Sequence, residues 1–396
     1  VGSEMCIRDS LTDAVKLQLR ADVPVGVCLS GGIDSSVIAV LLAAQGVTPL
    51  TFSTVYEEQA YTERSYIEAV NAHIKATPRM LTPKSSDFFP VLEQIVHHHD
   101  EPVRMPGVYS HWHVMQCAAD HVTVLLDGQG ADEILAGYND YFPSYVASLF
   151  RDALTGHGSA HAIGEIRALL RRIGEDGGNA SVLLKEALAR SLPGSLRSGI
   201  GSKPQKERLF SPAFRSLLAD AKDEPSEAVM LARFRTVMDR DMYRTFAETN
   251  LPMLLRYEDR NSMAFSLEAR VPFLDHRVVE FCQGLSYRRK IRGGTTKWIL
   301  REAFKDLLPK AVYERRDKKG FPTPTAEWFK GPLKDEVRRR IANGAFLEAG
   351  LFEREAVLQL VDEHLAGTKN HERTLFRLLT LDLWLRQHDA APLGRS

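Results

Sequence analysis

Apolar residues in the first third of the chain fall into short β-branched runs separated by longer segments with helical spacing. VGVCL (25–29) is the first such run and ends in Ser30-Gly31-Gly32; the next segment, IDSSVIAVLLAAQG, carries helical apolar spacing and a glycine stop. VTPLTFSTV (47–55) reads as a second strand, TERSYIEAVNAHI as the following helix, and Arg79 to Leu81 as a weaker third strand. Helical patterns over 85–98 and 109–121 precede Val122–Leu126, a continuous apolar run suited to a strand buried on both faces. Strands alternating with helices imply right-handed crossovers and an α/β fold with a doubly wound parallel sheet.

From about Tyr145 the period changes. AIGEIRALLRRIG and VLLKEALARSL are helical, strands disappear, and the chain closes on the apolar amphipathic segment RTLFRLLTLDLWLRQ, so a mostly helical C-terminal part is expected. SLRSGIGSKPQKE (195–207) reads as a mobile loop, and no internal repeat is evident. The opening VGSEMCIRDS lacks periodicity and gives way to the amphipathic LTDAVKLQLRADVP; residues 1–10 are therefore expected to be a truncated or non-native leader outside the fold. The expected division is 11–145 for the α/β part, 146–230 for a helical insertion and 231–396 for a helical part that completes the domain.

Composition narrows the partners. With 51 Lys plus Arg against 51 Asp plus Glu in 396 residues, no charge excess points to nucleic acid or an anionic membrane. Cys6, Cys28, Cys117 and Cys282 are widely spaced, which argues for reduced thiols and a cytoplasmic setting, and no apolar run approaches a membrane span.

Ligands of open parallel sheets sit beyond the carboxyl ends of the strands, which is where SGGIDSS falls. Gly31 and Gly32 permit a nest of backbone N–H groups for an anion; the following helix adds its positive end; Ser30, Ser35 and Ser36 offer hydroxyls. No lysine follows the glycines, so this is not the kinase-type loop; Asp34 instead puts a carboxylate beside the phosphates, which calls for a cation such as Mg²⁺. LLDGQGADEILAGY (125–138) follows another buried strand and brings Gly128, Gly130, Asp132 and Glu133 to the same edge, so that Asp34 and Asp132 together make a hard-oxygen Mg²⁺ site. The competing structural readings are an ordinary turn with Asp34 as a helix cap, and a helix N-terminus with acids in its first turn.

RADVPVGVCLSGGIDSS resembles the PP-loop signature of N-type ATP pyrophosphatases, specifically the synthetase domain of glutamine-hydrolysing asparagine synthetases. DGQGADEILAGY, YEDRNSMAFSLEARVPFLD (257–275), and TKWILREAF with KKGFPTP resemble that family's later motifs in the correct order. The resemblance implies an adenine nucleotide alpha hydrolase-like fold and a two-step reaction: aspartate's β-carboxylate attacks the α-phosphorus of ATP, pyrophosphate leaves, and ammonia displaces AMP. It implies that Ser30, Gly31, Gly32, Asp34 and Ser35 hold pyrophosphate, that Asp34 and Asp132 hold Mg²⁺, and that Leu29, Thr54, Asp127 and Gly128 line the AMP moiety. Lys297 matches the lysine that neutralises charge at the α-phosphate; by residue type alone it would be an exposed lysine on an amphipathic helix. A homodimer is compatible with the resemblance.

Two departures stand out. Asparagine synthetases usually carry a glutamate where this chain has Gln129, and an amide cannot accept a proton at working pH. The family's N-terminal glutaminase domain, with its terminal cysteine nucleophile, is not in this sequence: the PP-loop begins at Ser30 and Cys6 is not terminal. Free ammonia is then the expected nitrogen donor, or glutamine-derived ammonia if a longer protein supplies that domain. Tyr257, Asp259, Arg260, Asn261, Glu268, Arg270 and Asp275 form a polar set in one expected helical stretch, either holding the substrate's α-amino and α-carboxyl groups or forming an internal salt-bridge network. His97, His98 and His99 are adjacent, which makes a poor chelate and a solvated helix end. Other readings on the same fold are an intramolecular amide-forming cyclase and a non-catalytic nucleotide-binding homologue.

Overall fold

The protein is described from a computed structural model, which covers residues 2–58, 60–155, 159–191, 208–220, 234–317 and 320–388. The sequence 195–207, expected as a loop, lies outside the described residues. Five parallel strands form one sheet in the order β3-β2-β1-β4-β5, with β1 at Val25–Cys28, β2 at Leu50–Thr54, β3 at Thr77–Leu81, β4 at Val124–Leu126 and β5 at Glu268–Arg270. The chain winds outward through β2 and β3 on one side of β1, then returns to place β4 and β5 on the other. The topological switch point therefore falls between β1 and β4, where the two Gly-rich segments emerge.

Side chains alternate across the sheet as the pleat requires. Val27, Val124 and Leu126 face a core built with the helices α1 (Gly2–Gln18) and α2 (Ile33–Ala44), whereas Cys28, Phe52 and Leu125 face Val114, Met115 and Ala118 of α5 (Gly107–Ala119). Between them in the chain lie α3 (Arg64–Ile74) and α4 (Phe88–His99). The expected doubly wound α/β architecture followed by a mostly helical remainder is what the structure has.

Two expectations are corrected. Residues 1–10 do not stand outside the fold: Gly2 to Ser10 are the first half of α1, Ile7 and Leu11 are fully buried against α2 and later helices, and Arg8 pairs with Asp306 at 3.0 Å. The helical period was masked because Ser3, Glu4, Arg8, Asp9 and Ser10 surround a single buried isoleucine in that stretch. Nor do strands cease after Tyr145. β5 comes from residues 268–270, pairing with β4 in parallel register, Val124 opposite Glu268 and Leu126 opposite Arg270; at three residues it is too short to carry a period of its own.

The later helices make two further cores. One gathers α4, α5 and α6 (Asn250–Met263) with Lys334–Ala342, Arg354–Leu365 and Glu372–Gln387 around Phe88, whose ring contacts Trp328 and Phe329 edge-on. The other joins Phe142–Leu154, Ser159–Glu175, Ala180–Ser191 and Val237–Tyr243. A cleft of about 980 Å³ opens between these bodies and the switch point, large enough for a nucleotide and a small second substrate.

Candidate active site

β1 ends in a loop that closes on itself. Gly31 has φ +70°, and a Cβ there would lie 2.8 Å from Tyr66 Cβ, so the turn needs glycine twice over. Ser30 N donates to Ser35 Oγ at 3.1 Å, the Ser30 and Ser35 hydroxyls meet at 3.0 Å, and Gly32 N donates to Ser30 Oγ at 3.3 Å. The N-cap of α2 is Gly32 and no side chain caps it, so the first-turn N–H groups remain available to an anion. Arg315 braces the loop from outside: one Nη donates to Gly31 O at 3.1 Å while the other pairs with buried Glu63 at 2.6 Å.

Asp34 does not cap the helix, which removes one of the structural readings. Its carboxylate forms a close ion pair with Lys297 Nζ, and the same nitrogen lies 2.6 Å from Asp132 Oδ1. Lys297 is 2% exposed, not a surface lysine, and sits at φ 52° immediately before the helix Trp298–Phe304. A non-glycine residue in that conformation costs about 1 kcal/mol or more, a strain that the surrounding structure holds where the lysine meets the two carboxylates. Asp132 arrives from the second loop, where Gly130 (φ +89°) starts the short helix Ala131–Leu135 without a side-chain cap. Neighbouring Glu133 is buried, which raises its pKa; it accepts from Tyr138 OH at 2.7 Å and from Asn250 Nδ2 at 2.8 Å.

Two carboxylates that converge on one ammonium nitrogen form a hard-oxygen donor set, and that set fits a small divalent cation completed by phosphate oxygens and water. Ser30, Asp34, Ser35, Asp127, Gly128, Gln129 and Asp132 all border the cleft. Gly128 packs against Asp34, where a Cβ would come 3.0 Å from that residue's Cβ. Leu29 and Thr54 lie at the ends of β1 and β2; Leu29 is 2% exposed and its carbonyl accepts from Ser53 Oγ at 2.6 Å.

The polar set of 257–275 is not one helical stretch. Tyr257 and Asn261 are on α6, Glu268 and Arg270 on β5, and Asp275 caps the next helix through Arg277 N at 2.9 Å. Arg270 binds Glu268 and the carbonyls of Gln18 and Arg20, and Asp275 binds Arg277, so these serve the scaffold. Tyr257 borders the cleft and accepts from Arg104 N at 2.8 Å; Asp259 is exposed and Arg260 lies 3.5 Å from Asp100. The histidine run also divides: His97 and His98 are exposed, but His99 is fully buried and bonded to Asn261 at 2.9 Å. The residues that the motif reading passed over are His111 and Glu258. They join Asp127 in a buried group at the inner end of the cleft, and their only signal in the sequence was polarity on otherwise buried helix faces.

The family profile described as asparagine synthase matches residues 6–386. The chain is 28% identical over 401 residues to a protein named asparagine synthetase [glutamine-hydrolyzing] 1 of Bacillus subtilis, covering 96% of this chain and 58% of the relative. A putative asparagine synthetase [glutamine-hydrolyzing] of Mycobacterium tuberculosis is 30% identical over 388 residues, 94% and 56% of the two chains. A Gibberella zeae protein named amidase chry2 is 25% identical over 417 residues, 95% and 60%. The chain thus spans somewhat more than half the length of these relatives.

Proposed function

The chain belongs to the asparagine synthase family, and from that premise we propose that it is the adenylating part of an ATP-dependent, carbon–nitrogen bond-forming ligase acting on the β-carboxylate of aspartate. The observation that carries this reading is Lys297 held between Asp34 and Asp132 beneath a phosphate-type loop. Adenylate formation needs in-line positioning and charge stabilisation rather than a protein nucleophile. The loop N–H groups, Ser30 and Ser35 hold the departing pyrophosphate; Leu29, Thr54, Asp127 and Gly128 border the AMP moiety. Mg²⁺ on Asp34 and Asp132 would neutralise phosphate charge when bound. Lys297, held by Asp34 and Asp132, directs its charge to the α-phosphate when the nucleotide is bound. Gln129 orients by hydrogen bonding and takes no proton. Ammonia then completes the amide and AMP leaves.

The test is aspartate-dependent pyrophosphate release from Mg-ATP with ammonium present. Wild type is expected to accumulate asparagine, and Lys297→Ala to lose about 10²- to 10³-fold in rate, the scale for one preorganised charge-stabilising group. Release that is indifferent to aspartate, in wild type and in Gln129→Glu alike, directs the assignment to another carboxylate.

A further inference from the structure

Three buried ionisable side chains meet at the inner end of the cleft from three elements: Asp127 from the end of β4, His111 from α5 and Glu258 from α6. Their exposures are 5%, 4% and 3%, and one ligand atom from each lies within 4.8 Å of the others. Asp127 Oδ2 and Glu258 Oε1 have no hydrogen-bond partner, Glu258 Oε2 faces His111 Nε2 at 3.1 Å, and no lysine or arginine pairs with either carboxylate among the described residues. Leaving a buried acceptor unsatisfied on each of two carboxylates is costly, so this is a place built for something that donates.

A hydrogen-bond chain fixes the polarity of the group. Asn261 Nδ2 donates to Val108 O at 3.1 Å and to His111 Nδ1 at 2.9 Å, while its Oδ1 accepts from His99 Nε2 at 2.9 Å; one amide orientation serves all three. Burial keeps His99 neutral, with its pKa lowered to about 4. For His111, burial opposes the charged form and Glu258 favours it with the larger net effect, yet a second ring proton would point at an Asn261 N–H. The neutral ring therefore carries its proton on Nε2, which lies 3.1 Å from Glu258 Oε2. That proton blocks His111 as a metal ligand and leaves two carboxylates as the net charge of the group.

We propose that Asp127 and Glu258 form the subsite for the protonated nitrogen nucleophile, ammonium or a primary amine no larger than methylamine. The inference rests on the amide-forming reading above and adds the nitrogen side of that reaction. Tetrahedral ammonium with charge-assisted bonds of about 2.8 Å would hold two acceptor oxygens about 4.6 Å apart, which the 4.8 Å limit on the group's separations admits; what weighs against a metal here is the proton on His111 Nε2. The oxygens are shielded from bulk water, which admits only a small ligand. Burial first, and then Glu258, push the Asp127 pKa up to about 7 in the empty site, close to where a base that works near neutrality should lie. Cys28, on the third side, stays a thiol because burial raises its pKa well above the usual value. Ammonium gives one proton to the carboxylate pair, and the freed lone pair forms the C–N bond at the acyl carbon. The C–O bond to AMP breaks with its electron pair on the phosphate, and the nitrogen's second surplus proton passes to water. This places in Asp127 and Glu258 the proton acceptor that Gln129 cannot be.

The experiment separates the half-reactions in Glu258→Gln, close in shape to the original, with melting temperature as the folding check. Aspartate-dependent ATP–pyrophosphate exchange, run without ammonium, is expected to stay within about twofold, while KM for ammonium rises about tenfold or more. Independently of catalysis, ammonium chloride against sodium chloride at equal ionic strength is expected to raise the melting temperature of wild type only. Absence of exchange in wild type counts against aspartate adenylation alone, because the ammonium shift still decides the subsite. An unchanged ammonium KM, equal losses in both half-reactions, no ammonium-specific shift, or stoichiometric manganese or zinc in wild type that Glu258→Gln lacks overturns the proposal.

Discussion

A Cβ at Gly137 would lie 1.8 Å from Asp132 Oδ1 and 2.1 Å from Lys297 Cε. The smallest side chain is thus excluded at the one place where the lysine crosses to its two carboxylates. Gly137→Ala is expected to displace Lys297 and Asp132 together, cutting aspartate-dependent pyrophosphate release about 100-fold at a stability cost of about 1–3 kcal/mol, the usual scale for overpacking; steady-state rates and urea titration read the two separately. Loss of stability without loss of rate would show that the lysine's path is not fixed by this contact. Asp34, Asp132 and Lys297 were legible as single residues through their motifs. Their mutual pairing was not, because Lys297 stands 263 positions from Asp34 and no local period links them.

At the scale of elements, α1 shows what a short window hides. Its buried face is Ile7, Leu11, Ala14 and Val15, a helical stripe that becomes visible only when residues 1–10 are read together with those that follow. Ile7→Ala is expected to cost about 2–4 kcal/mol, the range for a large-to-small change in a packed core, while an exposed control such as Met5→Ala changes stability by less than about 0.5 kcal/mol. Equal, small effects in chemical denaturation would mean that the N-terminal half of α1 does not hold the fold. β1, β2 and β4 could be found from their apolar runs, since central strands are buried on both faces. β5 could not: its Glu268 and Arg270 are polar, and only pairing with β4 makes the segment a strand.

Across the whole molecule, the cleft is bordered by parts that are remote in sequence. β1 and β4 deliver the two loops, α5 and α6 bring His111 and Glu258, and behind the cleft wall the segment before Trp298 sets Lys297 against Asp34 and Asp132. A ligand that bridges these bodies stabilises the folded chain by mass action. Mg-ATP at about 100 times its Kd should therefore add about 2.7 kcal/mol. The expected outcome is a rise in melting temperature with Mg-ATP that is lost in Asp34→Asn with Asp132→Asn and in the absence of Mg²⁺; an undiminished rise in the double variant would place the nucleotide elsewhere. No described helix is long and apolar enough to cross a membrane.

Taken by itself, the sequence determined the alternation of strands and helices, the phosphate-type loop at a strand end, the second acidic loop and the family resemblance, because each is written in contiguous residues with a local period or a local turn requirement. Only the tertiary structure decided that Lys297 is buried between two carboxylates, that residues 2–10 belong to the core, and that His111, Asp127 and Glu258 share one site. The physical reason is common to all three: burial and electrostatic pairing depend on distance in space, and side chains as far apart in the chain as Asp34 and Lys297 reveal their distance only when the sheet and its helices close around them.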